Sequence, residues 1–194
     1  VPINVNYRYV DEELVYLFDN ADARAVVYHA AFAPMLAKIR HRLAGVRLFI
    51  QVEDGSGNAL LEGALDYEEA LRQANASAPQ ADLSADDLYI LYTGGTTGMP
   101  KGVLWRQEEI FFSALNTRPP SSIESMQERA KSRPGIRSLP TPPFMHGAAH
   151  WAAFNIWHAG GTVVVQSGVE HLDPDDVWST VEAEKVNALT IVGD

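Results

Sequence analysis

The sequence predicts an α/β fold: a layered, largely parallel sheet with helices on both faces. Three observations predict it. Short apolar runs alternate with amphipathic, helix-length phrases along the chain, which is the pattern of right-handed βαβ crossovers. Several helical phrases carry their own start signals, such as Asp66 before Tyr67-Glu-Glu and Asp173 before Pro174. A loop of glycines and threonines directly follows one apolar run, residues 88–92, and the carboxyl ends of strands are where such sheets hold ligands.

In chain order, residues 11–18 read as a helix with Asp11 as cap and acids in its first turn. Residues 25–28 are a short strand. Residues 33–43 carry a helical stripe of Met35, Leu36, Ile39 and Leu43 that ends near Gly45. Residues 46–52 are a strand, residues 53–58 a loop of turn formers, and residues 66–74 a helix capped by Asp66. Residues 75–87, rich in Ala, Ser, Asp and Gln, are an exposed connector into the strand at 88–92. Residues 106–117 read as a helix with Ile110, Phe111 and Leu115 inward. Residues 118–135, rich in Pro, Ser and Arg, are expected to be a long surface excursion, partly disordered. A strand at 136–139, a helix at 147–158, a strand at 162–166, a helix from Pro174 to about Lys185 and a strand at 189–192 complete the pattern.

Composition excludes several classes. With 194 residues, 46% of them hydrophobic, the chain can bury one substantial core. It lacks the roughly 18-residue apolar run that spans a bilayer, and no signal-like segment opens it. Cysteine is absent, so disulfides and thiolate ligands play no part, and a cytoplasmic location is expected. A net charge of -10 argues against nucleic acid, whose binding needs Lys and Arg to neutralise phosphates. The sequence leaves a homodimer open. Val1 at the start, and a strand phrase that stops one step into its loop, suggest a piece of a longer protein.

Most of the function rests on residues 92–102, Tyr-Thr-Gly-Gly-Thr-Thr-Gly-Met-Pro-Lys-Gly. Gly94, Gly95 and Gly98 allow close approach of a ligand and positive φ angles. Successive exposed N–H groups make a concavity for anions. Thr93, Thr96 and Thr97 add hydroxyls, and Lys101 adds a positive charge. The ligand implied is a polyphosphate. A Walker A loop counted from Gly95 places Lys101 correctly but needs glycine at Pro100 and a hydroxyl at Gly102, so it is rejected. The bland alternative, a Gly/Thr turn between strands, requires neither three threonines nor the lysine.

This phrase resembles the phosphate loop of the adenylate-forming (AMP-binding) superfamily of acyl-CoA synthetases, luciferases and nonribosomal adenylation domains. The usual signature is Thr-Ser-Gly-Thr-Thr-Gly-x-Pro-Lys-Gly, and here Gly94 replaces the serine, which removes one hydroxyl. The opening Val-Pro-Ile-Asn-Val-Asn-Tyr-Arg-Tyr and the closing Thr-Ile-Val-Gly-Asp are similar to the fatty-acyl-CoA synthetase branch. The resemblance implies that residues 1–194 are a partial N-terminal AMP-binding domain, with an acidic motif, hinge and C-terminal domain unmatched. It implies ATP-dependent activation of a carboxylic acid, transfer to coenzyme A, and Mg2+ with the nucleotide. Thr93, Gly94, Gly95, Thr96, Thr97, Gly98 and Lys101 would bind ATP, Lys101 and Thr96 would act in catalysis, and Thr96 or Thr97 would meet the metal. The alternatives are an adenylation domain or acyl-AMP ligase that loads a carrier protein, and a non-catalytic anion-binding module.

The second loaded phrase is Pro140-Thr-Pro-Pro-Phe-Met-His-Gly-Ala-Ala-His-Trp. Proline here is expected to stop the backbone from pairing as a central strand. His146 precedes Gly147, the start of a helix, and resembles the aromatic-His-Gly phrase that lies beside the acyl-adenylate in the superfamily. That match implies a catalytic and substrate role for His146, with Trp151 and Phe154 lining an acyl tunnel. The alternatives are a capping histidine and aromatic core residues. His150 and His158 read as facing neighbours or solvent, and His146 with His150 is a weak zinc signal without an interposed Glu.

Overall fold

Alternation at period two shows which face of each strand is covered. In β1, Ala25–His29, Val26 and Tyr28 are buried while Val27 between them is exposed. The computed structural model describes residues 1–94, 98–116, 122–132, 135–168 and 171–192. They fall into two units. One comprises Val1–Asn4, Leu83–Leu91 and Val103–Asp194, and the other Val5–Asp82 and Tyr92–Gly102. Each is treated by itself, as the histidine unit and the loop unit.

In the loop unit, β1, β2 (Leu48–Val52) and β3 (Leu65–Asp66) form a parallel sheet in that order, with Val26 opposite Phe49 and Ile50 opposite Leu65. Helices α1 (Asp11–Asn20) and α2 (Ala33–Ile39) bring Leu14, Leu17, Phe18, Leu36 and Ile39 against Val26, Tyr28 and Phe49. The one buried polar side chain among them, Gln51, accepts from the Tyr28 hydroxyl at 2.9 Å and from the Leu61 N–H at 3.2 Å, so it is satisfied. Helix α1 corrects the predicted cap. Val10 occupies the cap position and its N–H donates to Glu13 at 3.0 Å, while Asp11 sits in the first turn. Valine has no acceptor, so only half of a capping box exists, and the three first-turn acids meet the helix dipole instead. Asp66 caps α3 (Tyr67–Gln73) as expected, accepting from the Glu69 N–H at 2.8 Å.

In the histidine unit, β6 (Arg137–Pro140) lies between β7 (Thr162–Val163) and β8 (Ala188–Thr190), and both pairings are parallel. Pro140 is thus the last residue of a central strand, contrary to the expectation that it would not pair. It lies opposite Thr190, and the ladder continues through Thr141, whose N–H donates to Thr190 O at 3.0 Å. Helix α6 (Gly147–His158) has the predicted bounds, and α7 (Pro174–Ala183) begins at Pro174 with Asp173 accepting from the Asp175 N–H at 2.9 Å. Leu139, Val164 and Val177 form the buried core there.

Other boundaries moved. The helix expected over 106–117 is α4 (Gln107–Ile110), continued by a wide π-helical turn, Phe111–Leu115. Carbonyls left by that turn are taken up by α6, where His158 Nδ1 bonds Leu115 O at 2.6 Å and Asn155 donates to Ala114 O. Within 118–135 lies a helix, α5 (Ile123–Ser132). Its Ala130 packs so closely on Gly160 that a Cβ there would meet Ala130 at 2.8 Å, and Gly160, at φ +77, ends α6 in the left-handed conformation glycine favours. An unforeseen strand, β5 (Lys101–Arg106), pairs with β4 (Leu88–Thr93). Its residues show no clean alternation of burial, so no period-two signal marked it.

Candidate functional site

In the loop unit the chain leaves β4 at Thr93 and re-enters a strand at Lys101. The Thr93 hydroxyl donates to the Lys101 carbonyl at 3.5 Å, which joins the two ends of the loop. Pro100 is buried and anchors the return, whereas Lys101 is exposed and forms no ion pair among the described residues. Gly94 and Gly98 do not adopt the positive φ that the sequence allowed. What glycine supplies here is room: among the described residues a Cβ at Gly98 would meet nothing within 4 Å, and one at Gly94 only the Tyr9 hydroxyl at 3.9 Å. Backbone bare of side chains, followed by a free ammonium, suits an anion. Gly95, Thr96 and Thr97 lie outside the described residues. Among the described residues, no group of three His, Asp or Glu side chains could hold a metal ion.

In the histidine unit, His146 occupies the cap position of α6 and its side chain makes no capping hydrogen bond, so the structural role weighed for it is not realised. The imidazole is exposed. Gly147 follows because the first turn packs hard: a Cβ there would meet Leu91 at 3.0 Å and the Trp151 ring at 3.3 Å. Beside α6 lies a cleft of about 440 Å³ lined by Leu88, Tyr89, Ile90, Leu91, Phe144, His150, Phe154 and Trp157 among others. Tyr89, His150, Phe154 and Trp157 make one continuous aromatic row, each ring 5.5 Å from the next. Trp151 is not among the lining residues. Its indole N–H donates to the Tyr89 hydroxyl at 2.9 Å, and that hydroxyl meets His150 Nε2 at 2.5 Å.

This three-residue network went unforeseen. An indole N–H can only donate, so the Tyr89 oxygen accepts from Trp151, and the same hydroxyl shares a second hydrogen bond with His150 Nε2 whose direction follows the imidazole tautomer. His150 Nδ1 is sealed from solvent and has no partner among the described residues. Burial lowers the His150 pKa and raises that of Tyr89, so both are neutral at pH 7. The i, i+4, i+7 spacing of His150, Phe154 and Trp157 was readable as one helix face. Nothing in the sequence paired it with Tyr89.

The whole chain, residues 1–194, matches the family described as AMP-binding enzyme. The chain belongs to that family. It is 50% identical over its full length to medium-chain acyl-CoA ligase Mig of Mycobacterium avium and covers 36% of that protein. It is 37% identical to 3-oxocholest-4-en-26-oate–CoA ligase of Rhodococcus rhodochrous, again over the full chain and 36% of the relative. Among solved structures it resembles the N-terminal domain of FACL13 from Mycobacterium tuberculosis, with TM-score 0.69 and 26% identity over 95% of this chain and 41% of that one. The anthranilate CoA ligase AuaEII shares the fold, with TM-score 0.74 at 19% identity, covering 95% of this chain and 34% of that one. The chain therefore spans little more than a third of the length of these ligases, and its α/β fold is that of their family. No helix among the described residues is long and apolar enough to cross a membrane.

Proposed function

We propose that this chain is the nucleotide-gripping part of an ATP-dependent acyl-CoA synthetase. One observation carries the reading: in an AMP-binding chain, Lys101 stands exposed and unpaired at the end of a loop whose glycine backbone is open to a ligand. In the reaction a carboxylate oxygen attacks the α-phosphorus of ATP, and the bond to the pyrophosphate oxygen breaks. The thiol of coenzyme A then attacks the acyl carbon and AMP leaves. The protein's part is positioning and charge stabilisation. Backbone N–H groups at Gly94, Gly95 and Gly98 would hold the β- and γ-phosphates, with the hydroxyls of Thr93, Thr96 and Thr97 beside them. Lys101 would neutralise the departing pyrophosphate. A magnesium ion bound with the nucleotide would add further positive charge there, met by the Thr96 or Thr97 hydroxyl.

His146 would meet the carboxylate of the acid, since its imidazole is exposed and uncommitted at the head of α6. The apolar cleft along the same helix would take the acid's hydrocarbon part, with Phe154 and Trp157 on its wall. The names of the medium-chain and steroid-acid ligases support an acid with a substantial apolar body. The test is ATP–pyrophosphate exchange in the whole synthetase. Lys101→Ala should lower exchange by about 100-fold or more, the scale of losing one charge-stabilising donor, and Thr96→Ala should lower it by about 10-fold. Exchange within twofold of wild type in both variants would refute the loop assignment.

A further inference from the structure

Among the described residues, glycine at position 94 is demanded neither by backbone conformation nor by crowding. Its φ is not in the left-handed region, and the one atom of those residues that a Cβ there would meet within 4 Å is the Tyr9 hydroxyl oxygen, at 3.9 Å. A side-chain hydroxyl one bond beyond that Cβ comes within hydrogen-bonding reach of the Tyr9 oxygen. The space a serine hydroxyl would fill is therefore bordered by another hydroxyl, contributed from far away in the sequence.

Tyr9 is only 8% exposed, and its ring packs in the same core as Leu14, Leu17 and Phe18, with Tyr92 against it. Its hydroxyl has no hydrogen-bond partner among the described residues. Of their side-chain polar atoms, His150 Nδ1 is the one both sealed from solvent and unpartnered. The Tyr9 oxygen, also unpartnered, thus keeps an opening to solvent. Burial first, and the Glu13 carboxylate second, raise its pKa above the ordinary tyrosine value, so at neutral pH it is an O–H donor. A fixed, protonated, uncommitted donor beside bare backbone is what an anion site uses.

We propose that Tyr9 is a nucleotide-binding residue: its hydroxyl donates to a phosphate oxygen held at Gly94, in place of the serine hydroxyl that the loop lacks. The inference rests on the reading of this loop as a phosphate site. Tyr9→Phe keeps the ring in the core and removes only the oxygen. In the whole synthetase, ATP–pyrophosphate exchange measured against ATP concentration should show KM for ATP rising about 10-fold in Tyr9→Phe, as expected for a hydrogen bond to a charged group. KM for the acid should stay within twofold, and the melting temperature should not move. Adding Gly94→Ser to Tyr9→Phe should restore most of the lost affinity, because the serine hydroxyl reaches the same place.

Three results overturn the inference: an ATP KM within twofold of wild type, parallel losses for ATP and acid with a lowered melting temperature, or no recovery with Gly94→Ser. Lys101→Ala, run alongside, separates the two layers of the argument. If Lys101→Ala cripples exchange and Tyr9→Phe does not, the loop reading stands and Tyr9 is a core residue only. If neither has an effect, both fall.

Discussion

The loop between β4 and β5 and the aromatic row beside α6 treat their polar groups in opposite ways. Around the loop, donors stand open among the described residues: Lys101 is exposed, a Cβ at Gly98 would meet nothing within 4 Å, and the Tyr9 hydroxyl is uncommitted. Along α6, past the His146 cap, the side chains bond one another or the neighbouring backbone, His150 Nδ1 excepted. Trp151 donates to Tyr89, Tyr89 meets His150, Asn155 reaches Ala114, and His158 reaches Leu115. On the proposed reading the loop exchanges water for phosphate oxygens, which requires donors left unsatisfied by the protein. Along the cleft wall burial among aromatic rings favours polar atoms that bond one another, and His150 Nδ1 is the exception. Substitutions in the two regions should therefore fail in different currencies, activity in the first and stability in the second.

The largest effect expected is the one on exchange in Lys101→Ala, and the comparison sharpens it. Because Lys101 has no ion pair among the described residues, its loss should change unfolding free energy by no more than about 0.5 kcal/mol. Urea denaturation of wild type and variant would check this. A midpoint that falls in step with activity would mean that the lysine holds the fold, and the contrast between the regions would dissolve.

A smaller effect, in the other currency, belongs to Tyr89→Phe. Removing the hydroxyl leaves the Trp151 indole N–H and His150 Nε2 without their partner in a part-buried setting. Stranding buried polar atoms costs about 1–3 kcal/mol, so the unfolding free energy should drop by that much and the denaturation midpoint should fall with it. KM for ATP should remain within twofold. A raised ATP KM with an unchanged midpoint would place Tyr89 among the nucleotide contacts and contradict the division.

The same contrast explains what the sequence disclosed. Gly94, Gly98, Pro100 and Lys101 fall within one short phrase, so this part of the candidate site reads directly as chemistry. Caps are equally local, and Asp66 and Asp173 were found for that reason. Tyr89 with His150, and Tyr9 with Gly94, are neighbours made by tertiary packing, and neither tyrosine carries a local mark. Pro140 misled because its rule concerns the missing N–H, and here the neighbouring Thr141 supplies the donor to Thr190. Strand β5 hid because its burial does not alternate, and α5 hid inside a segment whose composition suggested a loop.

The smallest effect is a pH dependence, and it tests the claim that the cleft wall keeps its histidine neutral. Burial lowers the His150 pKa below its ordinary value of 6.5. Between the folded and unfolded values the unfolded chain binds more protons, so stability rises with pH across that window and falls as the solution is acidified from about pH 7. Below the folded pKa both states are protonated and the slope vanishes. His150→Gln removes the titrating group from this wall and leaves the other five histidines in place, so the comparison isolates it. The difference in melting temperature between wild type and His150→Gln should therefore shift in favour of the variant between pH 7.5 and pH 5. Parallel profiles would show that the ring takes up its proton freely in the folded state, and the wall would then be as open to water as the loop.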